Sequence, residues 1–374
     1  MNNISNIKNC YGCGVCSAAC TKKIIDIRLN DNGFYEPYLI DDNKCTNCGL
    51  CRDVCAFLDK DLAIQSVPLK SWASWSNDES IRFKCSSGGV GFEIGRQSIL
   101  EGLNAISCRY NPENQLAEHY ITNSVNDFIQ SAGSKYIQSY TAEAFRNIDK
   151  RNKYLVTGTP CQIDSFRRFV RRFKCEDNFI LMDFFCHCVP SMNAWKAYLR
   201  MQERNLGQIT TASWRNKDVY GWHDSWQMRI QGERGTVKSR WSQGDMFYKM
   251  FLGDVCLAPQ CQKECKYKYD KSSADIRIGD LWGETYQHDE DGVSALVAFT
   301  EKGKALIEGL PNVTLVEHPF EIVAEGQMKD NAKAKEVYPY VMSLLKKGVP
   351  LDNYKYKILL FAQRIITRFK IILK

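Results

Sequence analysis

Two stretches near the N-terminus decide the first part of the fold: residues 10–20, CYGCGVCSAAC, and residues 45–55, CTNCGLCRDVC. Both follow the spacing C-x2-C-x2-C-x3-C. In a pair of such stretches, three cysteines of one hold three corners of a 4Fe-4S cluster, and the fourth binds the cluster of the other stretch. The sequence therefore predicts two clusters, with Cys20 and Cys55 exchanged between them. The predicted iron ligands are Cys10, Cys13, Cys16, Cys20, Cys45, Cys48, Cys51 and Cys55.

Zinc is the alternative occupant of this segment, because pairs of cysteines in the order C-x2-C also bind zinc. A zinc ion closes with four ligands in two pairs and has no use for a third C-x2 step, so the spacing favours clusters. One departure from the bacterial pattern concerns the residue after each fourth cysteine. Thr21 and Ala56 occupy the positions where proline is usual.

The segment between the two stretches predicts a β-hairpin. Residues 24–29 and 34–40 read as strands, and the Asn-Gly pair between them is a strong turn signal. We therefore expect an α+β, ferredoxin-like dicluster domain over residues 1–62. Residues 60–70 read as a linker into the next domain.

Composition limits the remaining classes. The chain has 374 residues, 44% of them hydrophobic, which is enough for two or three domains. Its 50 basic and 43 acidic residues are interleaved and leave a net charge of only +7, so we expect no nucleic-acid partner. Seventeen cysteines without an apolar export segment at the N-terminus predict a reducing, cytoplasmic location.

From Trp72 onward, strands and amphipathic helices alternate, which predicts a larger α/β domain. We divide it into residues 71–150 and 151–315. The predicted strands are residues 154–157, 179–185 and 295–299, the predicted helices are residues 162–173, 192–205 and 303–310, and residues 214–231 are predicted as a strand or hairpin.

Glycine-rich turns at the strand ends are candidate ligand sites, because open α/β sheets bind ligands there. They lie at residues 85–90, which lead into a helix, at residues 132–136, which precede a helical run, and at residues 157–161. A Ser-Ser-Gly-Gly turn is also a common helix start without a ligand. Clusters carry single electrons, so a flavin that collects two suits such a protein.

Ordered motifs over residues 71–310 resemble a known family. They are CSSGGV (85–90), AGSKYIQS (132–139), GTPCQI (158–163), FCHCVPS (185–191), WRNK (214–217), CQKECKYK (261–268) and ADIRIGDLWG (274–283). The chain resembles the beta subunit of the hydrogenase that reduces the deazaflavin coenzyme F-420, and relatives that carry a ferredoxin domain in front. Some relatives, similar to 7-hydroxymethyl chlorophyll a reductase and divinyl chlorophyllide reductase, use FAD and ferredoxin electrons. The resemblance implies a flavoprotein reductase with a larger α/β flavin-binding domain.

The resemblance also implies a flavin site. Its residues are Ser86, Ser87, Gly88, Gly89, Gly133, Ser134 and Lys135. Lys135 would neutralise the pyrophosphate, and the alternative is a surface lysine on a solvated turn. Asp280 and Trp282 in the last motif are assigned no catalytic role, since they can simply end a strand and pack a core.

A third cluster is implied at Cys161, Cys186, Cys261 and Cys265. Because the last two are spaced C-x3-C where the family usually has C-x2-C, Cys188 and Cys256 are rival ligands. We interpret the remaining cysteines as small buried hydrophobic residues. They are Cys85, Cys108 and Cys175.

His187 is the candidate catalytic residue, as a proton donor in the Cys-His-Cys turn. The alternative is a histidine that only hydrogen-bonds its own turn, and His223 is a weaker candidate.

Residues 316–374 form a predicted helical tail whose end, from Tyr354, is a basic amphipathic helix. This helix either docks on the protein's own core or on a twin subunit in a homo-oligomer, or attaches to an anionic membrane at the inner face.

Together these features predict an iron-sulfur flavoprotein oxidoreductase. It would pass electrons from a ferredoxin-like donor through 4Fe-4S clusters to FAD and on to a small-molecule organic substrate. One alternative is an electron-transfer subunit of a larger hydrogenase or dehydrogenase complex without substrate chemistry of its own. Another is a scaffold that no longer binds flavin.

Overall fold

The computed structural model describes residues 2–372. Its strands are β1 Ile25–Leu29, β2 Tyr35–Leu39, β3 Lys70–Ser76, β4 Asn104–Asn111, β5 Leu116–Thr122, β6 Ser139–Tyr140, β7 Tyr154–Thr157, β8 Phe179–Phe184, β9 Ile209–Ser213, β10 Gln227–Gly232, β11 Gly235–Arg240, β12 Ile276–Asp280, β13 Ser294–Ala298 and β14 Val313–Glu317. Its helices are α1 Val15–Ala19, α2 Leu50–Asp53, α3 Glu79–Lys84, α4 Val90–Leu100, α5 Val125–Phe128, α6 Ala142–Arg146, α7 Pro160–Arg172, α8 Met192–Leu206, α9 Met246–Phe251, α10 Pro259–Lys263, α11 Glu301–Glu308, α12 Phe320–Val323, α13 Tyr338–Lys346 and α14 Tyr354–Ile372, with short 3-10 turns at Asp42–Lys44, Ile129–Ser131 and Glu176–Asn178.

The N-terminal segment contains the predicted hairpin. β1 and β2 pair antiparallel from Ile25 opposite Leu39 to Leu29 opposite Tyr35. Gly33 in the turn has a φ of 79°, a backbone conformation that glycine adopts without strain. Each cysteine repeat contains a short helix: α1 lies within the first repeat and α2 within the second. The hairpin prediction is confirmed.

A mixed nine-stranded sheet forms the centre of the described chain, residues 2–372, in the order β14-β3-β13-β12-β8-β7-β4-β5-β6. Strands β12, β8, β7 and β4 are parallel to one another, and β13 runs antiparallel between β12 and β3. The carboxyl ends of β3, β12, β8 and β7 therefore meet at one edge of the sheet. The α/β prediction is confirmed as a mixed sheet, to which both predicted parts of the large domain contribute.

Several predicted elements agree with the structure to within two residues, among them β7, β8, α8 and α11. Helix α7 begins two residues earlier than predicted, because Pro160 occupies its first turn and Thr159 forms a capping box with Gln162. Its apolar side packs under the sheet through Ile163 and Phe166, which are fully buried.

Two predictions about local structure are wrong. Residues 214–226 form no regular strand, and β10 starts only at Gln227. Several aromatic and basic side chains of this segment contact buried partners on other loops. Side chains that alternate on the two faces of a regular strand could not reach these partners. Residues 132–136 do not lead directly into a helix either, since β6 intervenes before α6.

The linker between the two domains is fixed to the large domain. The Ala63 amide donates to Oδ1 of Asp164 at 2.7 Å. The Ala56 amide donates to Oγ of Ser165 at 3.2 Å, which explains why proline is absent at this position, since proline has no N–H to donate. Both acceptors lie on α7, so the cysteine segment is tied to the helix that also carries Cys161.

The C-terminal helix α14 packs on α13 and on the large hydrophobic core through Tyr356, Leu359 and Leu360. The final two residues of the sequence lie outside the described residues. Among residues 2–372, no helix has both the length and the apolar character that crossing a bilayer requires.

Candidate redox site at the sheet edge

The cysteines of the two N-terminal repeats lie in two neighbouring groups. Burial, together with the nearby thiol of Cys55, raises the pKa of Cys13 to about 11. Burial likewise raises the pKa of Cys51 to about 11, and Cys20 acts in the same direction. The fourth cysteine of each repeat therefore lies beside members of the other repeat, in the exchanged arrangement that the spacing predicts.

The spacing of these side chains differs from that of a single-ion site. No group of three or more His, Cys, Asp or Glu side chains within residues 2–372 is close enough to hold one metal ion. A zinc ion keeps its sulfur ligands about 2.3 Å from a common centre, whereas a four-iron cube gives each thiolate its own iron. The cysteine groups are thus wider than a zinc site.

The four cysteines implied as ligands of a third cluster come together from separate loops. Cys161 lies in the first turn of α7, Cys186 follows β8, and Cys261 and Cys265 lie in and after α10. Burial raises the pKa of Cys186 to about 12, and Cys261 and Cys265 add to the rise although Lys268 opposes it. Burial also raises the pKa of Cys161, with Cys261 and Cys186 among the neighbouring thiols. The donor set of four thiols suits an iron-sulfur cube.

The two rival cysteines differ from each other. Cys256 is fully buried in the main hydrophobic core and does not line the cavity described below. Cys188 does line that cavity, and a hydrogen bond from its thiol lowers the pKa of Cys261 while the pKa of Cys188 rises. Cys188 therefore lies beside the four-cysteine group as a thiol donor to one of its members.

A cavity of about 490 Å³ opens beside the carboxyl ends of β7, β8 and β12. Its volume falls within the range of roughly 300–1,000 Å³ that is typical of small-molecule and cofactor pockets. The predicted site residues that line it are Ser86, Ser87, Gly89, Gly133, Ser134, Lys135, Cys161, Cys186, His187, Cys261 and Cys265. One cavity therefore joins the residues predicted to bind a flavin to the third cysteine group.

All three predicted glycine-rich loops line this cavity, and two of them are joined by a hydrogen bond. The Ser134 amide donates to Oγ of Ser86 at 2.7 Å, which joins the second loop to the first. Gly89, with a φ of 85°, ends the first loop and caps α4. The free N–H groups at the start of an eleven-residue helix suit an anionic group such as a phosphate.

Gly88 has a different role from the one predicted for it, because it is not part of the cavity wall. A Cβ atom at this position would lie 2.4 Å from the backbone oxygen of Ser74 and 2.8 Å from the backbone nitrogen of Ser294. The glycine is therefore needed for close packing of the loop against β3 and β13, and it lets its neighbours reach the ligand side.

Lys135 lies at the cavity wall, and its ammonium is held by the backbone. It donates to the carbonyl oxygens of Gln130, Ser131 and Ala132 at 3.0, 2.8 and 3.0 Å. Burial lowers the pKa of Lys135 to about 8. The side chain therefore supplies positive charge to the cavity, while its three hydrogens are already used.

Two parts of the chain match known protein families. Residues 151–318 match the model for the C terminus of the coenzyme F420 hydrogenase/dehydrogenase beta subunit, and residues 9–57 match the 4Fe-4S dicluster domain. Residues 151–318 therefore carry the C-terminal domain of this beta-subunit family. A chain in the solved structure of the xenon-derivatised F420-reducing NiFe hydrogenase complex from Methanosarcina barkeri is 16% identical, with a TM-score of 0.47, and the match covers 78% of this chain and 91% of that one. No match is found among curated proteins.

Two cations behind the first loop were not recognised from the sequence as site residues. The fully buried guanidinium of Arg215 pairs with Asp280 at 3.1 Å and donates to the carbonyl oxygen of Ser86 at 3.1 Å. Lys217 donates to the carbonyl oxygen of Ser87 at 3.0 Å. Both cations fix the backbone of the loop. The WRNK motif at residues 214–217 contains both cations and was the sequence feature that could have identified them.

His119 is part of the cavity wall and was also missed in the sequence. It lies on β5, and its Nε2 is 3.0 Å from the carbonyl oxygen of Thr157. Burial lowers the pKa of His119 to about 4, so the imidazole is neutral near pH 7. Neither its spacing nor its neighbours in the sequence distinguish it from a core histidine.

His187 lies on the cavity wall beside the third cysteine group. Its Nε2 is 2.9 Å from Oδ1 of Asp254, and its ring packs edge-on against Phe251. Lys335 lies 3.4 Å from the other oxygen of the same carboxylate. The contact with Asp254 holds the imidazole in one orientation, and His223 does not line the cavity at all.

The first cysteine group lies against the third. The thiol of Cys13 donates to Oγ of Ser165, one turn beyond Cys161 on α7, at 3.4 Å. The Tyr11 hydroxyl donates to the carbonyl oxygen of Glu264 at 2.8 Å, and Gln260 donates to the carbonyl oxygen of Cys10. The N-terminal 4Fe-4S dicluster domain is thus packed directly on the loops that carry the third group.

Proposed function

We propose that the chain is a cytoplasmic iron-sulfur flavoprotein oxidoreductase. It takes electrons from a ferredoxin-like donor, passes them through 4Fe-4S clusters to FAD, and reduces a small organic substrate. The observation that carries this proposal is the single cavity that joins the flavin-type loops to a group of four cysteines. An electron-transfer domain and an organic-cofactor pocket that share a wall are what such a reductase needs.

The order of the cysteine groups supports this direction of connection. Cys48, in the second N-terminal repeat, is exposed to solvent, so its group is the accessible end. The first repeat contacts α7 through Cys13 and Ser165, and Cys161 on the same helix lines the cavity. The thiols thus form a row from the surface to the cavity, and we assign the third set, Cys161, Cys186, Cys261 and Cys265, to a third cluster.

The residues proposed to hold FAD are those of the two joined loops, with the start of α4 facing the pyrophosphate. Lys135 and Lys217 are buried, and burial lowers the pKa of each to about 8. No carboxylate forms a salt bridge with either ammonium within residues 2–372. Buried charge without a counter-charge is unfavourable, so an anionic ligand would be stabilised here. The flavin would supply the exchange between single electrons and the electron pair.

His187 is proposed as the residue that delivers a proton into the cavity. The Asp254 carboxylate, 2.9 Å from Nε2, orients the ring towards the cavity side of its turn. His119 is a poor donor in comparison, because burial keeps its pKa near 4.

Anaerobic purification followed by iron, sulfide and flavin quantitation tests the proposal. Three four-iron clusters correspond to about twelve irons per chain, and we expect them together with one FAD. Cys161→Ser should lower the iron content by about four. The matched control is Cys175→Ser, since the Cys175 thiol bonds only to the carbonyl oxygen of Val170 on the far end of α7 and should leave iron unchanged.

Iron near eight without flavin would refute both the third cluster and the reductase. The chain would then be an electron-transfer subunit that acts through a partner. Full iron with no bound flavin would refute FAD alone and leave the cavity for another cofactor.

A further inference from the structure

The outer face of the C-terminal helix α14 is apolar and uncovered. Along Tyr354–Ile372, bulky residues recur every three or four positions and fall on one side of the helix. Their exposed fractions range from 40% to 77%. The stripe consists of Tyr354, Ile358, Phe361, Ile365, Phe369 and Ile372. Water-exposed apolar rows of this length mark interaction surfaces.

The helix is held to the protein by its opposite side. Tyr356 is fully buried and its hydroxyl donates to the carbonyl oxygen of Val349 at 3.1 Å. The Gln363 amide donates to Oε2 of Glu336 at 2.6 Å, and Lys370 pairs with the other oxygen of that carboxylate. The side that faces the protein thus combines these polar contacts with the apolar packing of Tyr356, Leu359 and Leu360. The outward side is also apolar, whereas the outward side of a normal surface helix is polar.

The charges beside the stripe are all positive. The helix carries five basic residues and no acidic one. At 3.6 residues per turn, Lys357, Arg364 and Arg368 follow one border of the stripe and Lys355 lies at the other. Two copies that joined through this face would bring these cations together without a counter-charge, which opposes self-association.

We propose that α14 is a membrane-surface helix that lies flat on an anionic lipid bilayer. The apolar stripe enters the boundary between head groups and acyl chains, and the basic borders meet anionic head groups. With no spanning helix among residues 2–372, the contact is peripheral. The dicluster domain and the cavity then work next to the bilayer, where apolar substrates or membrane-bound donors are concentrated.

The test is flotation of the full, cluster-loaded chain with lipid vesicles. One set contains phosphatidylcholine alone, and in the other one third of the lipid is phosphatidylglycerol. We expect binding to the anionic vesicles to be at least about one hundred-fold tighter than to the neutral ones, since each basic residue near an anionic surface contributes about a five-fold gain. High salt should remove this difference.

Variants separate the apolar and charged contributions. Phe361→Ser/Ile365→Ser/Phe369→Ser should abolish binding to both vesicle sets, because the stripe is lost. Lys357→Gln/Arg364→Gln/Arg368→Gln should lower binding to anionic vesicles about one hundred-fold and leave the neutral set unchanged.

The matched control is Leu100→Ser, which removes a residue that is 68% exposed elsewhere on the surface and should not change binding. Iron content and the thermal transition of each variant report whether folding is intact. Failure of the wild-type chain to float with anionic vesicles would overturn the proposal. So would a dimer, seen by light scattering, that the Phe361→Ser/Ile365→Ser/Phe369→Ser variant converts to a monomer while neither protein binds lipid.

Discussion

Arg277→Met should destabilise the protein by about 4 kcal/mol, because it leaves the Asp183 carboxylate buried without its partner. Both side chains of this pair are completely buried. Nε and Nη2 of Arg277 each donate to one oxygen of Asp183 at 2.7 Å. Asp183 also accepts from Ser272 at 2.7 Å. The pair joins β12 to β8, the strand that leads to Cys186, so it supports the cavity wall as well as the fold.

The same geometry predicts strong coupling between the two positions. Asp183→Leu alone should also cost about 4 kcal/mol, because the guanidinium loses its counter-charge. In Asp183→Leu/Arg277→Met no buried charge remains, and the loss reduces to unpaired neighbours at about 1 kcal/mol each. These are three groups: the carbonyl oxygens of Tyr269 and Lys271, which accept from Arg277, and the Ser272 hydroxyl, which donates to Asp183. The double variant should therefore cost about 3 kcal/mol, well below the sum of roughly 8 kcal/mol.

The assay is thermal unfolding under anaerobic conditions, followed by tryptophan fluorescence. At roughly 2 °C per kcal/mol for a chain of this size, each single variant should lower the apparent Tm by about 8 °C and the double variant by about 6 °C. The control is Arg151→Met, which breaks an exposed pair with Asp149 and should leave the apparent Tm nearly unchanged. The reasoning would be refuted if Arg277→Met had the same apparent Tm as this control. It would also be refuted if the double variant lost as much stability as the two single variants together.

Three further predictions concern the loops around the cavity. Gly88→Ala should cost about 1–3 kcal/mol of stability, because its Cβ would meet the Ser74 carbonyl at 2.4 Å. Gly133→Ala, with open space at its Cβ but a φ of 80°, should cost about 1–2 kcal/mol through backbone strain alone. An apparent Tm for Gly88→Ala equal to that of the wild-type chain would contradict the packing argument. The buried ammonium of Lys217 has a pKa of about 8, against 10.5 when free. Between these pH values the unfolded state binds more protons than the folded state, so the free energy of unfolding should rise with pH by up to about 3 kcal/mol. Measured as the apparent Tm from pH 7 to 10, this rise should be smaller in Lys217→Met. Ala56→Pro removes the amide that donates to the Ser165 hydroxyl and should lower stability by about 1–3 kcal/mol. Ala56→Gly keeps this amide and adds no polar group, so it should cost only about 0.5–1 kcal/mol, and iron retention on dilution should follow the same order.

Much of the site was predictable because its signal is local. The cysteine repeats specify their clusters by spacing within eleven residues, and the Asn-Gly turn specifies the hairpin between them. The turns after β7 and β8 were predictable because each strand is a short apolar run, and the end of that run shows where the turn begins. The ordered motifs that follow carried the family resemblance, and with it the loops that meet at the cavity.

The roles that depend on distant partners were not predictable. Arg215 and Lys217 lie in an irregular segment, and only the tertiary structure brings them behind the Ser86–Ser87 backbone. Gly88 resembled a ligand glycine, yet its function is to let the loop approach β3 and β13.

The sequence by itself determined the two N-terminal clusters, the α/β class of the large domain and the amphipathic character of the last helix, because each depends on periodicity or spacing along the chain. Tertiary structure alone decided that the third cysteine group shares one cavity with the glycine-rich loops predicted to bind a flavin. It also decided which side of α14 faces the protein. These outcomes depend on which strand ends the sheet order makes neighbours and on contacts such as Gln363 with Glu336, which no local pattern encodes.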